Sequence, residues 1–119
     1  MRNFTTENPD WGFHGEMSRL EGIDPAEAFN EAAKQVASAA GVDGLTAAAW
    51  LDSRDGRHFG GDVSCEYSTG KPIDRAIHAT VGRWLGWNIS PAQSAQTGIP
   101  AGLPYLVGVV NDFAIAREV

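Results

Sequence analysis

A stripe of small apolar residues at helical spacing limits most strongly what this chain of 119 residues can fold into. Its apolar side chains recur at intervals of three and four, the period of one face of an α-helix. They are Phe29, Ala32, Ala33, Val36, Ala37 and Ala40. Because most are alanine, a neighbouring helix can approach closely, which favours a helical bundle over a helix that covers a sheet. We therefore predict a mainly α fold, a compact bundle in a single domain over residues 1–119.

The residues that flank this stripe indicate where the helix begins and ends. Asp24 can cap the N-terminus, Pro25 suits the first helical position, and Glu27 stands where the acid of a capping box would reach back. Gly41 can end the helix in a left-handed conformation. These signals predict a helix over 24–40.

Two more helices follow from the pattern. A short one is predicted over 45–53, and Arg54, Asp55 and Gly56 are expected to supply a turn after it. The strongest amphipathic pattern of the chain covers 72–85, where Pro72 suits the start of a helix and Gly86 its end.

The other segments lack a clear period. Residues 1–23 predict an ordered arm that docks through Trp11 and Phe13. Residues 58–68 stay undecided, because each of two adjacent glycines weakens a helix by about 1 kcal/mol relative to alanine. A structured loop is predicted over 90–104, with a helical turn capped by Ser90 and Pro91 and then several glycines and prolines. The C-terminal element, 105–116, is apolar enough to be buried, and both helix and strand are open there.

The composition favours a cytoplasmic protein. A chain that is 43% hydrophobic can bury a core of its own. Its single cysteine, Cys65, cannot form an internal disulfide, and the N-terminus lacks the apolar stretch of a signal peptide. The longest apolar run, 105–110, is far below the roughly 20 residues that cross a bilayer. We expect no membrane span, and the oligomeric state stays open.

The net charge of -6 is concentrated at the N-terminus, since residues 1–31 carry seven acidic residues and two arginines. This balance disfavours direct nucleic-acid binding and favours a partner with a basic surface. The alternative is that these carboxylates are only a solvated surface and a helix start.

The residues that could carry catalysis or hold a metal ion have no recognisable spacing. The candidates are His14, His58, His78, Cys65, Asp52, Asp55 and Asp62. A metal site needs three or four converging ligands, and a cysteine nucleophile needs a base such as His58 or His78 beside it. We predict no cofactor, no metal and a buried, inert Cys65.

Basic residues in the middle of the chain allow a second interpretation. Arg54, Arg57 and Arg75 could contact phosphate groups, but acidic residues in the same window nearly balance them. Internal ion pairs between Arg54 or Arg57 and nearby aspartates are the simpler prediction.

Aromatic, glycine and proline residues gather in three polar-flanked clusters, 8–13, 51–59 and 84–105. Such segments hold defined shapes that pack or bind. Tryptophan, tyrosine and arginine dominate protein interfaces, yet four tryptophans could equally fill the core of a small domain. The sequence leaves both readings open.

Within these clusters, the sequences NPDWGF (8–13), LDSRDGRHF (51–59), RWLGW (83–87) and GIPAGLPYL (98–106) resemble an uncharacterised family of small proteins carried on bacterial plasmids and integrative elements. The likeness runs in the same order over nearly the whole chain, and it departs at 60–70, where the relatives are more helical. It implies a mobile-element setting, in which small acidic proteins bind and block host restriction or CRISPR complexes.

We therefore predict a non-enzymatic protein that binds a host protein or nucleoprotein complex, as a counter-defence inhibitor of the anti-CRISPR or anti-restriction type. The predicted contact residues are Glu7, Asp10, Trp11, Glu16, Glu21, Asp52, Arg54, Asp55, Arg57 and His58. The alternative is a small metal- or phosphate-dependent enzyme, or a DNA-binding accessory factor, that uses the turn from Asp52 to His58.

Overall fold

The computed structural model describes residues 4–117, which contain seven α-helices. They are α1 (Gly12–Met17), α2 (Pro25–Ala40), α3 (Gly44–Leu51), α4 (Arg54–Ser68), α5 (Ile73–Gly86), α6 (Pro91–Thr97) and α7 (Tyr105–Arg117). These residues form no strand and only one isolated bridge, between Asn88 and Pro104. The predicted mainly α fold is confirmed, and the C-terminal element is a helix.

The ends of α2 follow the chemistry of its flanking residues. The Asp24 carboxylate accepts a hydrogen bond of 3.0 Å from the Ala26 N–H, and Gly41 takes a left-handed φ of 71° after the last turn. The alanine-rich face is buried and packs on α3 and α5. Small side chains thus permit the close helix approach that the stripe predicts.

Large aromatic residues fill the centre of the bundle. Trp50 of α3 is fully buried, and its ring centroid lies 5.7 Å from that of Phe59 and 6.0 Å from that of Trp84. Both neighbouring rings meet it edge to face, the geometry that the ring quadrupoles favour. Two of the four tryptophans are therefore core residues.

The turn predicted at 54–56 is wrong, because this segment is the first turn of α4. Ser53 caps the helix by accepting a hydrogen bond of 3.3 Å from the Gly56 N–H. The segment left undecided, 58–68, continues the same helix.

Close packing explains why glycines occur inside α4. A Cβ atom on Gly60 would lie 3.0 Å from the Glu16 Cβ and 3.3 Å from the Phe13 Cα, both in α1. A Cβ atom on Gly56 would overlap the backbone of Leu51. The contacts that the bare backbone allows offset the intrinsic cost of about 1 kcal/mol per glycine.

The N-terminal arm docks, but it contains a helix, α1, that the aperiodic sequence did not predict. Phe13 is fully buried between other aromatic rings, whereas Trp11 is 40% exposed. The arm is therefore held by Phe13, and Trp11 stays accessible. Residues 1–3 of the predicted arm lie outside the described residues.

Backbone hydrogen bonds shape the segment between α5 and α7. The Ile89 N–H donates to the Leu103 carbonyl at 2.8 Å, and the Tyr105 N–H donates to the Trp87 carbonyl at 2.7 Å. Within the segment, α6 begins at the predicted cap, where Ser90 forms a capping box. The start of α7 is thereby tied to the end of α5.

The prediction of a buried Cys65 is wrong, because this thiol is exposed. The buried positions of α4 recur at helical spacing and end at Val63, so a residue two positions later points to the outside. No helix among residues 4–117 is long and apolar enough to cross a membrane.

Candidate functional site

The three aromatic clusters of the sequence meet at the N-terminal half of α4. The first cluster reaches it through Trp11, which lies against Arg57. The third cluster reaches it through Trp84, whose ring centroid lies 5.3 Å from that of Phe59. Because the second cluster contains the start of α4 itself, one helix end collects residues that are distant in sequence.

Trp11 and Arg57 form an exposed cation–π pair. The guanidinium carbon lies 4.5 Å from the ring centroid, within the range of a favourable contact. Among residues 4–117, neither Arg54 nor Arg57 pairs with a carboxylate, so the predicted ion pairs to nearby aspartates are wrong. An aromatic face, and not an aspartate, positions the Arg57 guanidinium.

The same helix also borders an open pocket of about 660 Å³. Two of the predicted contact residues, Asp55 and His58, line it from successive turns of α4. The other lining residues come from the end of α5, from α6 and the segment before it, and from the start of α7: Trp84, Gly86, Trp87, Asn88, Gln93 and Tyr105. The pocket therefore joins the second aromatic cluster to the third.

Three aromatic rings form one side of the pocket. The centroid of Tyr105 lies 5.3 Å from that of Trp84 and 6.3 Å from that of Trp87, at interplanar angles of 71° and 79°. Trp84 is buried, and its indole N–H donates to the Asp62 carboxylate at 2.7 Å. Trp87 is 48% exposed. The wall thus runs from a fixed, buried ring to an accessible one.

The pocket also holds a carboxylate without a partner among the described residues. None of residues 4–117 forms an ion pair with the Asp55 carboxylate or donates a hydrogen bond to it. Burial raises the pKa of the Tyr105 hydroxyl above its usual range, and the negative charge of Asp55 raises it further. The Asp55 carboxylate and the Tyr105 hydroxyl are therefore close enough to interact electrostatically.

The remaining predicted contact residues do not enter this pocket. Asp52 accepts hydrogen bonds from the Thr6 hydroxyl and from the Glu7 N–H, the latter at 3.0 Å, so its carboxylate anchors the arm. Glu16 is half-buried and forms an ion pair of 3.5 Å with Arg19. The others, Glu7, Asp10, Glu21 and Arg54, are exposed at the surface.

Sequence reasoning did not place Trp87 and Tyr105 in a site with α4. Both belong to the third aromatic cluster, which was the available signal. Their separation by α6 and its loop hid the backbone hydrogen bond that joins them. Only the folded chain shows that they face Asp55 and His58.

The chemistry that would support the alternative functions is dispersed. Residues 4–117 contain no group of three His, Cys, Asp or Glu side chains that could hold a metal ion. Arg75 lies near Gly70 and Lys71, beyond the far end of α4. Because a 15-residue helix is about 22 Å long, Arg75 and Arg54 are widely separated.

The described residues form a helical protein in which α4 carries an exposed tryptophan–arginine pair and borders an aromatic pocket. Comparisons of the chain with protein-family models, with curated proteins and with solved structures find no match. A functional proposal must therefore rest on the tryptophan–arginine pair and on the pocket.

Proposed function

We propose that the chain is a non-enzymatic protein that binds another protein through the surface around α4. This contact surface consists of the exposed pair Trp11 and Arg57 together with the pocket that Asp55, Trp87 and Tyr105 line. The observation that carries the proposal is the exposure of two tryptophans, 40% for Trp11 and 48% for Trp87. Tryptophan, tyrosine and arginine are the residues that most often dominate interface energetics.

The charge of the chain supports a partner with a basic surface. The protein carries a net charge of -6, and Glu7 and Asp10 are exposed in the arm that leads to Trp11. Negative charge beside an aromatic contact surface would steer a basic partner toward it and would be screened by salt. A host nucleoprotein complex has such a surface where it holds nucleic acid. With the resemblance to mobile-element proteins, this favours a counter-defence inhibitor.

Two exposed arginines that pair with no carboxylate among residues 4–117 favour a second candidate, contact with the phosphates of nucleic acid. Arg54 and Arg57 are exposed and have no carboxylate partner among the described residues. Against it, Arg75 lies beyond the other end of α4, so the three do not form one stripe. A gel-mobility assay with a labelled duplex tests this candidate. At low salt the native protein should retard the duplex, and Arg54→Ala/Arg57→Ala should not.

The test of the first proposal is capture of the partner from the natural host. The tagged full chain is expressed there, the lysate is treated with nuclease, and the captured proteins are quantified by mass spectrometry. We expect one stoichiometric protein or complex, whose yield falls as salt rises. Trp11→Ala/Arg57→Ala should lower its yield by about tenfold or more, since central interface residues contribute about 2 kcal/mol or more each.

A matched variant controls for general damage to the surface. Leu45→Ala/Arg75→Ala removes one exposed apolar and one exposed basic residue away from the contact surface. It should capture the partner as well as the native chain does. No stoichiometric protein with the native chain, or equal losses with both double variants, would overturn the proposal.

A further inference from the structure

We propose that the pocket beside α4 binds an arginine side chain of the partner protein. The inference rests on the proposed function, because this pocket is part of the same contact surface. It adds the chemical group that the pocket recognises: a guanidinium held between aromatic rings and a carboxylate.

The aromatic wall suits a cation. Trp84, Trp87 and Tyr105 lie with each pair of ring centroids between 5.3 and 6.3 Å apart. A cation within about 6 Å of such ring centroids is attracted by their negative faces. The indole N–H of Trp84 is already bonded to Asp62, so that ring offers the pocket carbon atoms and no competing donor.

The fixed charges of the pocket have the matching sign. Asp55 lines it without a cationic partner among residues 4–117. No lysine or arginine is among the lining residues. The C-terminal end of α5 at Gly86 and the N-terminal turn of α4 at Asp55 bring helix-dipole ends of opposite sign to the pocket, so the Asp55 carboxylate supplies the attractive charge.

The donor and acceptor pattern selects arginine among cationic groups. A guanidinium is planar, stacks on aromatic faces and presents five N–H donors that match a carboxylate in two parallel bonds. Asp55 and Asn88, which both line the pocket, have side chains with the oxygen acceptors that such donors need. A volume of about 660 Å³ also admits part of the peptide that carries the side chain.

The direct test titrates the full chain with a short probe peptide, acetyl-Gly-Arg-Gly-amide, at about pH 8, above the range in which histidine side chains generally gain a proton. The matched peptide replaces arginine by citrulline, which has nearly the same shape and no charge. Binding is followed on the four tryptophan indole N–H signals of ¹⁵N-labelled protein. The arginine peptide should shift the signals of Trp84 and Trp87 and leave that of Trp11 in place.

Variants of the protein test which groups hold the guanidinium. Asp55→Asn and Trp87→Ala should each lower the affinity for the arginine peptide by about tenfold, since each removes a charged or cation–π contact. Asp112→Asn makes the same change of charge at an exposed position about 10 Å further along α7 than Tyr105, and it should bind like the native chain. An unmoved indole signal of the buried Trp50 verifies that each variant is folded.

The outcomes separate this inference from the proposed function. Equal shifts with the citrulline peptide, or unchanged affinity of Asp55→Asn, would overturn the arginine pocket. In the capture experiment, the arginine pocket predicts that Asp55→Asn lowers the yield of the partner and that Asp112→Asn does not. A partner captured equally by both refutes the pocket and leaves the proposed function standing, whereas absence of any stoichiometric partner with the native chain refutes the proposed function itself.

Discussion

The guanidinium carbon of Arg57 lies 4.5 Å from the centroid of the Trp11 ring and so joins the start of α1 to the first turn of α4. We expect this pair to be coupled by about 0.5 to 1 kcal/mol of folding free energy, the range for exposed cation–π contacts. A double-mutant cycle with Trp11→Ala and Arg57→Ala, measured by urea unfolding, gives the coupling. In the same cycle with Arg54→Ala in place of Arg57→Ala, the effects of the two substitutions on unfolding free energy should add. Comparable coupling between Trp11 and Arg54 would contradict a specific contact between Trp11 and Arg57.

Two glycines of α4 should respond to alanine in opposite directions. Gly56→Ala places a methyl group against the backbone of Leu51 and should destabilise the protein by about 1 to 3 kcal/mol. Gly61→Ala meets only the Glu16 Oε1 atom at 3.8 Å and should stabilise it by up to about 1 kcal/mol through helix propensity. Denaturant unfolding measures both variants. Two stabilised variants would show that close packing does not explain Gly56.

Asp52→Ala should loosen the N-terminal arm, because its carboxylate accepts hydrogen bonds from the Thr6 hydroxyl and the Glu7 N–H. Hydrogen bonds to a charged group contribute about 1.5 to 3 kcal/mol, and the partial exposure of this site places the expected loss at the lower end. Amide exchange of Glu7 should accelerate, while amides of the core helices stay protected. Asp112→Ala, which removes an exposed carboxylate elsewhere, should leave the Glu7 amide unchanged. An equally protected Glu7 in Asp52→Ala would refute the anchoring role.

Because of the Tyr105 hydroxyl, the free energy of unfolding should fall at alkaline pH. Burial and the charge of Asp55 raise the pKa of its hydroxyl in the folded chain above 10.0. The unfolded chain therefore ionises this group first, and stability is lost as the pH rises above about 10. In Asp55→Asn the pKa of Tyr105 should fall toward its usual value while the contribution of burial remains. Absorbance titration of tyrosinate checks this, and a pKa equal to that of the native chain would exclude the effect of Asp55.

The helices that sequence analysis predicted are those whose signals lie within the helix itself. The alanine stripe, the Asp24 cap and Gly41 define α2 without reference to the rest of the chain. In α4 the local signals were misleading, because Gly56 and Gly60 are weak helix formers whose compensating contacts come from Leu51 and α1. The helix α1 was hidden for the same reason, since its stability comes from packing on α4.

The sequence singled out some residues of the candidate site, but it did not show how they are arranged. Of the residues expected at a contact surface, Asp55 and His58 line the pocket, and Trp11 and Arg57 form the exposed cation–π pair. Asp52 was expected there too, but it anchors the arm. An isolated segment cannot show which of its polar side chains is taken by a neighbour that folds against it.

By itself the sequence determined the mainly helical class of the fold and the concentration of acidic residues near the N-terminus, because periodicity, capping and charge are properties of short segments. Only the tertiary structure decided which tryptophans are buried and that Asp55 faces Tyr105. These depend on contacts between residues far apart in the chain, such as the 2.7 Å hydrogen bond between the Tyr105 N–H and the Trp87 carbonyl. The pocket exists because that contact brings the start of α7 back to the end of α5.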